Sequence, residues 1–179
     1  NLQSIEMTEN IGVFMRLSLL SGFIFAFPII LGELLAFIAP GLNKNEKHWI
    51  FITIPIATIL FLSGVAFAYF VMLPVAVPYL INFLGVPTTP RLLSYTKFVT
   101  SLIFWLGIGF ELPIVVFALA KFKLVTPKIL LKQWRVAIVI ISIVAAAITP
   151  TIDPVNMAIL MVPLFVLYLL SVLFAFFAK

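Results

Sequence analysis

The chain contains no cysteine and a single histidine, His48. Disulfides and thiolate metal sites are therefore excluded, and the redox compartment cannot be read from thiol usage. Charge is scarce as well. Only 9% of the residues are charged, against about 25% in a soluble domain, so no water-facing surface can be assembled around a core. No nucleophile–base pair accompanies His48, and no glycine loop of the phosphate-cradling kind is present. The chain reads as a protein without catalytic chemistry, cofactor or metal.

What the chain has in abundance is apolar length. Hydrophobic residues make up 64% of it and come in long runs, the pattern of membrane-spanning helices. Five segments are expected, over residues 11–38, 49–73 with a bent extension to 84, 98–120, 127–148 and 155–178. Pro28 should kink the first, and Pro40-Gly41 ends it. Thr126-Pro127 and Asp153-Pro154 each pair an N-cap with proline at the first helical position. The fourth segment has only about 13 apolar residues after Arg135, or roughly 20 Å of helix. It forms a hairpin with the fifth through the turn at Pro150, Asp153 and Pro154, and a hairpin this short favours local bilayer thinning.

The net charge of +5 is concentrated in short loops, so membrane orientation explains it better than nucleic acid does. Lys44 and Lys47 lie in the first loop, and Lys121, Lys123, Lys128, Lys132 and Arg135 in the third. Their excess places loops 42–48 and 121–135 and the C-terminus in the cytoplasm, with residue 1 on the outer side of the plasma membrane. A further helix upstream of Asn1 is expected on this reading.

A few polar residues stand out against this background. Glu111 lies well inside an apolar helix, at a cost of about 2.5–3.5 kcal/mol on insertion scales. Lys97, Thr100, Phe104, Gly107 and Glu111 share one helix face by their 3-4-3-4 spacing. That face should look into the protein or a wet cavity, either as a functional site or as a protonated carboxyl bonded to a neighbouring helix. Glu46 is by itself a loop carboxylate balancing Lys44 and Lys47, and Glu33 an interfacial acid. Ser142, Ala145, Ala146 and Thr149 form a stripe of small residues that admits a second helix, either a partner's or the chain's own.

Several stretches taken together resemble the C subunit of the twin-arginine protein translocase, the TatC family. They are Phe37-Ile38-Ala39-Pro40-Gly41-Leu42 followed by Glu46-Lys47-His48; Gly64, Phe67-Ala68-Tyr69-Phe70 and Pro74; Tyr95 and Phe98; Phe110-Glu111-Leu112-Pro113; Leu124-Val125-Thr126-Pro127; and Thr149-Pro150 with Asp153-Pro154. Their order and spacing run along nearly the whole chain. The resemblance implies an all-α, six-helix, glove-shaped membrane fold, of which the five segments match the second to the sixth helix. It implies a receptor and scaffold for twin-arginine signal peptides, with Lys44, Glu46, Lys47 and His48 in the signal-binding face and Glu111 as a functional intramembrane acid. It also implies docking of single-span partner subunits of the TatA or TatB type on the final hairpin, at Ser142, Ala145, Ala146, Thr149, Asn156 and Met157, and association with other copies of the chain.

Some positions depart from the family pattern. His48 stands where a second basic residue is usual, and Glu33 and Met157 stand where glutamine is common. Thr151-Ile152 lengthens the last turn by one residue. A rival class is a small proton-coupled transporter using Glu111, although neither internal repeats nor a second buried ionisable partner is visible.

Overall fold

The computed structural model describes residues 8–38, 44–81, 91–122, 124–148 and 154–177; side chains at 38, 44–51, 80, 155 and 156 also lie outside the description. It is all-α, with no β-strand among the described residues. The helices are α1 (Glu9–Ile38), α2 (Lys44–Phe67), α3 (Leu73–Ile81), α4 (Leu92–Gly109), α5 (Leu112–Lys121), α6 (Pro127–Lys132), α7 (Trp134–Ile148) and α8 (Pro154–Phe177). Among the described residues, four spans are long and apolar enough to cross a membrane: Glu9–Phe37, Ile52–Tyr79, Leu92–Lys121 and Met157–Phe177. At 15 residues α7 falls short of them, reaching about 22 Å against a hydrocarbon core of about 30 Å.

Prolines explain where the helices deform. Between α2 and α3, Ala68–Met72 winds as a π-helical turn in which the Leu73 N–H donates to the Ala68 carbonyl. Pro74 has no N–H to offer the Phe70 carbonyl, so the ladder loosens in the turn ahead of it. Pro28, Pro55, Pro78 and Pro163 lie inside α1, α2, α3 and α8 without ending them. Neighbouring helices and local adjustments make such prolines tolerable in membrane helices.

Several boundaries differ from the sequence reading. The stretch 44–48, read as loop, forms the start of α2, and α4 begins at Leu92, ahead of the start expected at 98. Polarity marks where a helix leaves the hydrocarbon, and helices can continue past that point. The single helix expected over 127–148 is two, broken at Gln133 (φ −95°, ψ 19°). Thr126 caps α6 as its sequence implies, its side-chain oxygen accepting from the Ile129 N–H at 3.4 Å. The cap at Asp153 lies outside the described residues, as do Thr149 and Pro150; α8 opens at Pro154.

The core forms around α4, which packs on α1, α2, α7 and α8. Its buried Phe98, Leu102 and Leu106 recur every four residues, one stripe of a 3.6-residue helix. They meet Ala68 and Met72 from the π-helical turn, Ile141, Ala145 and Ile148 from α7, and Leu160, Leu164 and Leu167 from α8. The Tyr168 hydroxyl donates to the Leu130 carbonyl at 2.6 Å, tying α6 to α8.

An ion pair closes one end of the bundle. The Arg91 Nε donates to the Glu9 carboxylate, joining the start of α1 to the start of α4. The Glu9 side chain is 1% exposed and that of Arg91 35%. Removing one partner of a fully buried pair costs about 3–5 kcal/mol. Water still reaches Arg91, so Glu9→Ala should lower stability by a smaller roughly 1–2 kcal/mol. Thermal unfolding in detergent measures the loss.

Candidate membrane-embedded site

Pro113 sets the geometry around Glu111. It cannot donate to the Gly109 carbonyl, and α4 gives way to α5 one turn ahead of it. The Phe110 N–H still reaches the Leu106 carbonyl at 3.0 Å, whereas the Glu111 N–H turns to Ile108, a tighter three-residue step, also at 3.0 Å. Glu111 keeps right-handed dihedrals (φ −76°, ψ −17°), and its carbonyl accepts from the Ile114 and Val115 N–H groups. The span is therefore kinked rather than cut, and the kink carries the acid.

Close packing surrounds the kink. A Cβ on Gly107 would lie 2.7 Å from the Phe61 ring. Phe61 is 1% exposed and stacks on Phe27 with ring centroids 3.7 Å apart. A Cβ on Gly64 would meet the Phe110 side chain at 2.8 Å. The two glycines let α2 and α4 approach directly beside Glu111. Gly107→Val should overpack this contact and cost about 1–3 kcal/mol. Gly22→Val is the control, since nothing lies within 4 Å of a Cβ there. The midpoint of thermal unfolding in detergent should fall for the first variant only.

Glu111 itself is 7% exposed. Its carboxyl interacts with the Phe61 backbone, yet Oε1 is buried without a hydrogen-bond partner among the described residues. Other buried polar groups are satisfied. Thr96 donates to Leu92 at 2.9 Å, Thr100 to Thr96 at 2.8 Å, Ser171 to Leu167 at 2.7 Å, and Glu9 has Arg91. An orphaned carboxylate oxygen in a dry interior is costly and calls for an explanation. Of the two surroundings expected for this face, the described residues give the protein interior: the helix face turns the carboxyl into the α2–α4 contact. Along the same face Lys97 is exposed, Thr100 and Gly107 are buried, and Phe104 is half-buried.

The other expected site residues are dispersed. Lys44, Glu46, Lys47 and His48 fall on the first turns of α2, with side chains outside the described set. On α7 the small-residue stripe divides. Ala145 is fully buried in the chain's own core, and the Ser142 hydroxyl donates to Ile138 at 2.8 Å and approaches Met161 Sδ at 3.6 Å. Ala146 is exposed. Met157 packs half-buried against the core, while the Asn156 side chain is outside the description. The Glu9–Arg91 pair escaped the sequence reading, because its partners are 82 residues apart. The available signal was one acid and one base flanking apolar runs on the same side of the membrane. No group of His, Cys, Asp or Glu that could hold a metal occurs among the described residues.

This arrangement defines a multi-pass helical membrane protein with an acid packed into a kinked span. The sequence model of the family described as "Sec-independent protein translocase protein (TatC)" matches residues 1–163. The chain is 34% identical over 177 residues to the Sec-independent protein translocase protein TatC of Carboxydothermus hydrogenoformans, covering 98% of this chain and 73% of that protein. It is 41% identical over 159 residues to the TatC protein of Deinococcus radiodurans, covering 88% of this chain and 59% of that one. A crystal structure of the twin-arginine translocase receptor TatC in DDM superposes with a TM-score of 0.89 at 33% identity, covering all of this chain and 79% of the solved one. The chain belongs to the TatC family, whose members are components of the twin-arginine, Sec-independent protein translocase.

Proposed function

We propose that this chain is the receptor and scaffold of that translocase, binding twin-arginine signal peptides on its cytoplasmic face. The supporting observation is the extent of α2. Its backbone is helical from Lys44, so Glu46 belongs to an ordered first turn rather than a free loop. A carboxylate accepts a guanidinium fork through two parallel bonds, and a twin-arginine signal offers two such forks. Lys44, Lys47 and His48 border Glu46 in sequence and set the charge around it. The excess of Lys and Arg supports a cytoplasmic position for this face and the α5–α6 connection.

The α7–α8 hairpin serves as the docking surface for single-span partners. Among the described members of the small-residue stripe Ala146 is the exposed one, and Met157 stands near the start of α8 across the same turn; Thr149 and Asn156 join this surface by their place in the sequence. A site-specific cross-linker in place of Asn45, beside an intact Glu46, tests the receptor reading. It should form an adduct with an added twin-arginine peptide, and absence of that adduct in membranes holding correctly inserted protein would remove this face from the site. A proton-coupled transporter draws support only from the orphaned oxygen of Glu111, which has no second buried acid or base beside it among the described residues.

A further inference from the structure

We propose that the groove between α1 and α4 seats the phosphate of an anionic membrane lipid, with Arg16 and Ser101 as its donors. The groove has a volume of about 460 Å³, within the roughly 300–1,000 Å³ of small-ligand sites. Arg16, Leu19, Leu20 and Phe23 line it from α1, and Thr100, Ser101, Phe104 and Trp105 from α4.

Its polar groups are available to a ligand. The exposed Arg16 side chain makes no ion pair or hydrogen bond among the described residues. The nearest acid on the same helix end, Glu9, is already engaged by Arg91. The half-buried Ser101 hydroxyl likewise has no partner among the described residues. Thr100 instead turns its proton inward, to the Thr96 and Lys97 carbonyls. Two free donors, one of them cationic, thus face one groove from opposite helices. A phosphodiester has the charge and the acceptor oxygens to take both.

Depth favours a lipid over a polypeptide. The 30 residues of α1 extend about 45 Å, and the hydrocarbon core is about 30 Å thick. With the helix centred, Arg16 stands within about one turn of the hydrocarbon edge, and its side chain can reach the headgroup layer. Leu19, Leu20 and Phe23 follow on the bilayer side, where an acyl chain would lie. Trp105, 38% exposed at the groove wall, stands one helical turn past Ser101, on the bilayer side with Phe23, where it borders the path of an acyl chain. A partner helix would need an acidic residue at this one depth, whereas an anionic lipid supplies the charge there by its own structure.

Trp105 also provides the readout. With Trp49→Phe and Trp134→Phe in the otherwise unchanged full chain, it becomes the sole tryptophan. The protein is placed in phosphatidylcholine bilayers, and chain-brominated phosphatidylglycerol or chain-brominated phosphatidylcholine is titrated in. Quenching should reach half its limit at a roughly fivefold lower mole fraction of the anionic lipid, the preference expected of one cation near an anionic headgroup. Arg16→Gln should merge the two curves, Arg16→Lys should keep most of the separation, and Ser101→Ala should narrow it. Coincident curves with Arg16 in place would overturn the proposal, as would a preference that survives Arg16→Gln. So would absence of quenching by either lipid, the outcome expected if a protein helix fills the groove.

Discussion

Glu46→Gln is expected to abolish cross-linking of a twin-arginine peptide while leaving insertion and thermal stability unchanged. The amide keeps the shape of the carboxylate but loses the charge and one acceptor oxygen, so it cannot receive a guanidinium fork on both atoms. Truncating one partner of a hydrogen-bonded charge pair at an interface costs about 2–5 kcal/mol or more. A loss of roughly 30-fold or greater in apparent affinity follows. Glu46→Asp keeps the charge on a shorter arm and should lose less. Competition between labelled and unlabelled peptide measures both variants, and equal affinity of wild type and Glu46→Gln would take Glu46 out of the binding face.

The second large effect concerns Glu111, where stability and function should move in opposite directions. A buried oxygen without a partner carries a desolvation cost of about 1–3 kcal/mol, and an apolar group of similar size removes it. Glu111→Leu should therefore match or exceed the wild-type unfolding midpoint in detergent. Glu111→Ala is a poorer probe, because it opens a cavity beside Phe61 and adds a packing penalty. Export by cells that depend on the Glu111→Leu protein should nevertheless fall more than tenfold, since an intramembrane acid is kept against its cost when it works on a partner or passenger. A destabilised but export-competent Glu111→Leu would mean that the carboxyl is a structural element of the α2–α4 contact.

Much of this architecture is legible in the chain because membrane insertion writes it in hydropathy. Glu111 could be singled out from sequence since a lone acid in an apolar run is rare, and Thr126-Pro127 announced its cap through residue chemistry. Helix ends are harder. Lys44–His48 is polar enough to read as loop, yet a helix that has left the hydrocarbon still satisfies its own backbone. Leu92–Lys97 likewise carries α4 ahead of the start expected at 98. Inward and outward directions along α7 were also hidden, because the spacing of Ser142, Ala145 and Ala146 is compatible with a close neighbour on either side. Only the approach of α8 decides that Ala145 is consumed by the core while Ala146 reaches the surface. The Glu9–Arg91 pair depends on α1 and α4 lying side by side, which local pattern does not encode.

The receptor reading is tested most directly by the dependence of contact on the paired arginines themselves. A photo-activatable side chain in place of Asn45, with Glu46 intact, and one at position 16 as a control toward the opposite membrane face, would be challenged with a twin-arginine peptide and its twin-lysine counterpart. The account predicts a position-45 adduct with the arginine peptide that falls by at least about tenfold with the lysine peptide, because an ammonium cannot form the paired fork bonds. Position 16 should give no adduct with either peptide. Equal labelling of position 45 by both peptides would contradict recognition of the paired guanidinium groups at this face.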